Sequence, residues 1–456
     1  MDELEEALRR IYGKRPWLIA APILQEGGGI AKVVQRYGAH KCFVAAAYMG
    51  AGPTPGDDVA TWRVLDLPRA TIMDALHAGE RALRDLPPDF EAAIDAFDPS
   101  RRMLALGVFF GNGQPVAGRR LYGARPKAWQ DLEDKVVIDA LWDAAGIDRA
   151  PSLVVDVDEE TLAAAARQID LGAGTVWAGD ARDGFSGGAH LTFWVRDEAG
   201  AALAFAKLSA RCDRARVMPF LDGIPCSIHG VVLPDGVAVF RPNEMVVLRR
   251  ATGNGLQYMR AATFWDPSDA GRQEMRRAAK RIGEYLRSTY DYRGAFTIDG
   301  VMTRDGFRPT ELNPRVGAAM FMLHKGFPFS LVHYALIERE PLPLTTDGLE
   351  ALILTEADAH RRGSLGLALD VPISDNTTFD LVFEAGRWRE AIDGEEPHAK
   401  GRCGPAPGGG WSNLDLIPDH QPVGQSIGPR AAAYAAWMDA RFDAGIGALT
   451  PAPDYR

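Results

Sequence analysis

Two carboxylates, a carboxamide and an arginine fall close together at Asp299, Glu311, Asn313 and Arg315, the last three within Glu-Leu-Asn-Pro-Arg. Hard oxygen donors suit Mg, which proteins hold through one or two carboxylates while substrate phosphates fill the remaining positions. An arginine beside such a set is suited to a phosphate or a carboxylate. These residue types outline a Mg-nucleotide site.

Such chemistry requires the side chains to converge, and a hairpin would achieve it. Residues 296–303 are rich in β-formers, Arg304-Asp305-Gly306 is a turn signal, and 307–313 can return as a second strand. A three-residue loop with Gly306 left-handed would pair Thr303 with Phe307 and place Asp299 opposite Glu311. Cβ atoms directly opposite lie about 4.5–5.5 Å apart, where like charges destabilise each other unless a cation bridges them. Period-two alternation adds Asn313 to the same face, with Arg315 two residues further on.

Strand, acid, turn and Glu-Leu-Asn-Pro-Arg together resemble the metal-binding hairpin of the ATP-grasp superfamily. The resemblance implies that Asp299, Glu311 and Asn313 hold Mg-ATP, with Mn able to substitute, and that Arg315 contacts the transferred phosphate or acyl-phosphate. It extends over about residues 126–330 in family-like order.

The segment 129–135, Trp-Gln-Asp-Leu-Glu-Asp-Lys, reads as leading into an amphipathic helix with Val136, Ala140 and Leu141 on its apolar face and Gly146 as C-cap. Lys135 suits the positive end of a helix poorly, and the resemblance assigns it to nucleotide phosphate. Next, 175–179 reads as a strand entering a glycine-rich loop with Arg182, Gly184, Ser186, Gly187 and Gly188, whose backbone amides could approach an anion. Many family members end that strand with a phosphate-binding lysine, but Val176-Trp177-Ala178-Gly179 has none. Arg182 and, more remotely, Lys207 are the candidate replacements.

Val217-Met-Pro-Phe-Leu221-Asp222-Gly223 looks like the interlobe hinge that reads adenine. Pro219 would offer its carbonyl and Leu221 its amide, so the N–H that proline lacks is not required. Asp222 would replace the family's ribose-binding glutamate or serve only as a turn residue. Arg241, Glu244 and Arg250 face the phosphate or carboxylate substrate, or form surface ion pairs.

Elsewhere, 17–24, 62–67 and 103–110 read as strands, 72–86 as a helix, and Gln25-Glu-Gly-Gly-Gly29 as a turn before a helix start at Ile30. That glycine turn could bind a substrate anion, although it lacks dinucleotide spacing. Ser268-Asp269 caps a helix to about Ser288 with Met275, Ala279, Ile282 and Leu286 on one face and Arg272, Arg276, Arg277, Lys280 and Arg281 mostly solvated. Strands at 351–354, 364–371 and 379–383, a Gly/Pro-rich loop at 401–410 and a helix at 429–444 are expected near the C-terminus.

At 456 residues and 49.5 kDa several lobes are expected. The fold class is mixed α/β and α+β: an N-terminal α/β lobe (1–125), an ATP-grasp small lobe with the glycine-rich loop (126–216), a large lobe with the metal hairpin (217–340), and a C-terminal extension (341–456) without an assignable motif. A net charge of -10 and pI near 5.5 give no general footprint for nucleic acid or anionic membrane. Cys42, Cys212, Cys226 and Cys403 are too scattered for a zinc site or a disulfide framework. With an acidic N-terminus and no apolar run near 18 residues, a cytoplasmic location is expected.

The resemblance implies an ATP- and Mg-dependent ligase that joins a small carboxylate to an amine through an acyl-phosphate, and it allows a homodimer. A phosphotransferase that stops at the phosphorylated product, or a non-catalytic nucleotide-binding protein, are the alternatives.

Overall fold

The computed structural model describes residues 2–68, 71–107, 113–182, 187, 189–252 and 255–455, and three sheets organise them. Strands β1 (Trp17–Ile23), β2 (Cys42–Tyr48), β3 (Ala60–Val64) and β4 (Leu104–Gly107) form a parallel sheet in the order β3-β2-β1-β4. β1 and β2 are near-continuous apolar runs because helices cover both faces. Leu24 and Val34 of helix Leu24–Arg36 pack on one face, and Ala75 and Leu83 of helix Ile72–Arg84 on the other.

Residues 25–29 are not the expected turn, since the helix already begins at Leu24. Glycine disfavours a helix by about 1 kcal/mol per residue relative to alanine, and close packing offsets that cost. A Cβ on Gly27 would stand 2.6 Å from Val44 Cγ1, and one on Gly28 2.5 Å from Pro55 Cγ. Bare backbone lets the helix lie directly on β2.

The second sheet is antiparallel, in the order β5-β8-β6-β7, from β5 (Leu153–Asp156), β6 (Thr175–Gly179), β7 (Thr192–Val195) and β8 (Arg214–Pro219). Helices Glu159–Ile169 and Glu198–Ser209 cover the face bearing Trp177, Phe193, Ala215 and Val217. Alternation leaves Val176, Ala178, Trp194 and Arg216 on the opposite face.

The third sheet joins β9 (Gly223–Leu233), β10 (Gly236–Val239), β11 (Asn243–Arg250), β12 (Leu256–Ala262), β13 (Gly294–Thr303) and β14 (Gly306–Asn313) to C-terminal strands. These are β15 (Gly363–Leu369), β16 (Thr377–Glu384), β17 (Arg387–Glu390), β18 (Ala399–Ala406), β19 (Gly409–Leu416) and β20 (Leu449–Thr450). The path runs β14-β13-β9-β11-β12-β15-β19-β18-β16-β17, with β10 on β9 and β20 on β11.

Two C-terminal expectations are corrected. Residues 351–354 belong to helix Thr346–Ala359, because Leu349, Ile353 and Ala357 recur at helical spacing and are buried. The stretch 401–410 forms most of a β18–β19 hairpin, and the missing side chain at Gly401 makes room for the Phe379 ring.

Helix Asp269–Tyr290 is capped by Ser268, whose hydroxyl accepts from the Gly271 amide at 3.2 Å, and buries Met275, Ala279, Ile282 and Leu286 as its spacing predicts. Half-buried Arg276 and exposed Lys280 also donate to the Val239 and Val237 carbonyls at 2.7 and 2.6 Å. No helix among the described residues is long and apolar enough to cross a membrane.

Candidate active site

Strands β13 and β14 form an antiparallel hairpin in which Asp299 stands opposite Glu311. The register gets there by an unexpected route. The turn has two residues, Arg304 and Asp305, so Thr303 pairs with Gly306 (φ +107) and Met302 with Phe307. A bulge after Asp299 then admits Thr310 as an extra residue and restores the pairing. Thr310 marks the bulge by donating from its hydroxyl to the Asp299 carbonyl at 3.2 Å.

On its other side β13 pairs with β9, which sets Ser227 beside Asp299. Ser227 Oγ donates to Asp299 Oδ1 at 2.5 Å, and Asn313 Nδ2 donates to Oδ2 at 3.0 Å. Burial, then the Glu311 charge, push the Asp299 carboxyl up to about 7 against the opposing influence of Ser227, Arg315 and Lys135. Lys135 Nζ lies 3.3 Å from Glu311 Oε2. The expected helix does not begin at Lys135: a 3-10 turn at Asp131–Glu133 and a further turn precede helix Ile138–Ala144. The turn aims the lysine at the hairpin, and Gly146 (φ +65) follows the helix as its cap requires.

Arg315 Nη2 donates to Asn313 Oδ1 at 2.8 Å, and its Nε lies 3.3 Å from Glu133 Oε2. Burial opposes ionisation of Glu133, but Arg125 and Arg315 outweigh it and hold the carboxyl below its ordinary range. Arg125 also donates to the Pro314 carbonyl at 3.2 Å, so Asn313 to Arg315 is braced from below.

Asp299, Glu311 and Asn313 thus present hard oxygens on one face, with a carboxylate whose charge is disfavoured until a cation arrives. That donor set fits Mg shared with nucleotide phosphates. It contains two carboxylates only, and no group of three His, Cys, Asp or Glu side chains among the described residues could hold a metal alone.

No protein-family model matches the sequence, and no curated protein matches it. Solved structures do. An N5-carboxyaminoimidazole ribonucleotide synthetase bound to ADP superposes with a TM-score of 0.51 at 13% identity, over 95% of this chain and 97% of that one. The corresponding synthase of Aspergillus clavatus with ATP gives 0.53 at 12%, over 94% and 99%. The biotin carboxylase domain of Hydrogenobacter thermophilus 2-oxoglutarate carboxylase, with MgADP and bicarbonate, gives 0.50 at 12%, over 96% and 91%.

The chain has the ATP-grasp fold. Arg216 on β8 stands directly opposite Ala178, on the face away from the helices. Its Nε donates to Asp139 Oδ2 at 2.9 Å and its Nη1 to the Thr310 carbonyl at 3.4 Å, which ties β8 to the hairpin bulge.

Arg182 instead binds Asp213 at 2.9 Å and the Ala210 carbonyl at 3.1 Å. Ser186 and Gly188 lie outside the described residues; the Gly187 carbonyl accepts from the His190 amide at 3.0 Å. Pro219 ends β8 opposite Thr175, and Leu221 and Asp222 lie in the connection to β9. Asp222 is already engaged, paired with Arg249 and accepting from the Tyr455 hydroxyl. Phe220 between them stacks on Trp194 with centroids 3.9 Å apart and planes 13° from parallel.

Arg241 reaches neither the surface nor the hairpin: it is buried in ion pairs with Asp266 and Asp358. Glu244 accepts from Ser426 Oγ at 2.6 Å and the Ile427 amide at 2.9 Å, and burial pushes its carboxyl up to about 7. Arg250 donates to Gln257 across the β11–β12 pair.

Ser227, Glu133, Arg125 and Arg216 were not legible as site residues. A polar Ser227-x-His229 alternation inside the apolar run of β9 was the available signal for the first.

Proposed function

We propose that the chain is an ATP- and Mg-dependent ligase that activates a small carboxylate as an acyl-phosphate and joins it to an amine, releasing ADP and phosphate. The observation that carries this reading is the oxygen set of Asp299, Glu311 and Asn313 on one hairpin face with Arg315 adjoining. Mg held there would neutralise phosphate charge during transfer, a reaction in which positioning and electrostatics dominate. The ADP, ATP and MgADP of the neighbouring structures support the same nucleotides here.

The other roles belong to the chain itself. Lys135 and Arg315 would bind phosphate oxygens from either side of Glu311, and Arg216 would supply the cation that the sequence lacks at Ala178. No protein nucleophile is needed, since the substrate carboxylate attacks the terminal phosphorus and the amine then displaces phosphate from the acyl carbon.

ADP release over a panel of carboxylates, with hydroxylamine as a generic amine, tests the reading. A ligase accelerates when the amine is added, whereas a phosphotransferase is indifferent to it. Glu311→Gln should lower turnover at least about 100-fold with an unchanged circular dichroism spectrum. Near-normal turnover in that variant would sink the assignment.

A further inference from the structure

Both oxygens of the Asp222 carboxylate are taken, Oδ1 by Arg249 of β11 and Oδ2 by the Tyr455 hydroxyl. Burial favours the neutral acid, but Tyr455 and Arg249 outweigh it and hold the carboxyl below its ordinary range. Tyr455 therefore donates to an anion, the stronger kind of hydrogen bond.

The segment before Tyr455 brings it there. Strand β20 pairs antiparallel with β11, and Thr450 stands opposite Arg249 itself. Leu449 is buried in the apolar cluster of Val246 and Leu248, while Ala452 packs against the cluster that contains Ile224 of β9. Residues 449–455 thus cross from β11 to the β8–β9 connection.

At the end of this crossing the tyrosine touches two turns at once. Gly223, the residue after Asp222, pairs with Thr303, the residue before Arg304. The Arg304 guanidinium lies over the Tyr455 ring, 4.8 Å from its centroid, while the hydroxyl reaches Asp222. Tyr455 therefore joins the β8–β9 connection to the turn of the β13–β14 hairpin.

Between Pro219 and Gly223 the chain is fixed at two points. The Phe220 amide donates to the Gly174 carbonyl at 2.9 Å, and Arg249 lies over the Phe220 ring, 5.1 Å from its centroid. Asp222 is the second point. Among the described residues the half-buried Leu221, which lies between them, donates its amide to no protein acceptor. A backbone N–H left open between two fixed neighbours is placed for a ligand.

We infer that Tyr455 is a positioning residue for the nucleotide: the strap of residues 449–455 holds Asp222 so that the Leu221 amide meets the adenine ring. The inference rests on the ligase reading, in which this connection binds adenine. Without the tyrosine hydroxyl Asp222 keeps only Arg249, and the connection gains freedom that binding must then remove.

The test is calorimetric titration of the full chain with a non-hydrolysable ATP analogue and Mg, alongside amide hydrogen exchange. Tyr455→Phe keeps the ring over Arg304 and loses only the hydroxyl. It should raise the Kd about fivefold or more and speed exchange at residues 221–223, while the rest of β9 and β13 stays protected as in wild type. Tyr455→Ala, which also loses the ring, should weaken binding further. The inference is overturned if Tyr455→Phe binds the analogue as tightly as wild type. It is equally overturned if weaker binding comes with a general loss of protection in β9 and β13, the mark of a contact that only stabilises the fold. A wild type that does not bind the analogue defeats the ligase reading, whereas a wild type that binds it no better than the two variants defeats this inference alone.

Discussion

Asp299 is held by contradictory forces, and this has a measurable consequence in the absence of metal. Its folded pKa of about 7 lies above the ordinary 3.8, so between those values the folded protein retains a proton that the unfolded chain has released. The stabilisation is therefore fully present below about pH 4 and is lost as pH rises through about 7. Tm measured from pH 4 to 8 in a chelator should fall more steeply for wild type than for Asp299→Asn, which cannot titrate there. Adding Mg at pH 8 should raise Tm in wild type and much less in the variant. Parallel profiles would show that Asp299 does not carry the unfavourable charge. Glu26 and Glu244, raised in the same direction, remain in both proteins, so the difference between the curves isolates Asp299.

At the scale of elements, spacing located the hairpin because alternation, a turn signal and hard oxygen ligands coincided within a few residues. The turn length was wrong and the bulge unseen, and the two errors cancelled at Asp299 and Glu311. A bulge leaves little mark in local sequence, because it is set by the neighbouring strand. The glycine run at 27–29 misled for a related reason: propensity favours a turn, while contact with β2 favours a helix without side chains. Gly27→Ala tests this. Helix propensity alone would stabilise by up to about 1 kcal/mol, but overpacking against Val44 typically costs about 1–3 kcal/mol. A lower Tm is expected, and an increase would show that the strand gives way easily. Arg216 was illegible because its relation to Ala178 is cross-strand, between positions 38 residues apart (216 − 178).

At the scale of the molecule, C-terminal strands are part of the sheet that carries the β13–β14 hairpin. β12 pairs with β15 and β11 with β20, so strands after residue 341 complete strands that precede the hairpin. Glu244 of β11 binds Ser426 and Ile427, and Tyr455 binds Asp222 in the connection between β8 and β9. Sequence read the region as an extension because its strands carry no chemistry of their own and find their partners far away. Removing residues 341–456 would expose the long edge of β12 and the apolar cluster of Val246, Leu248, Met259 and Phe264. Unpaired edges and bare cores of this kind lead to aggregation. A chain ending at residue 340 should therefore be insoluble or unfolded, with no ATP-dependent rise in Tm, while the full chain protects the β11, β12 and β15 amides together in hydrogen exchange. A soluble truncated chain that still binds Mg-ATP would show that the two parts fold independently.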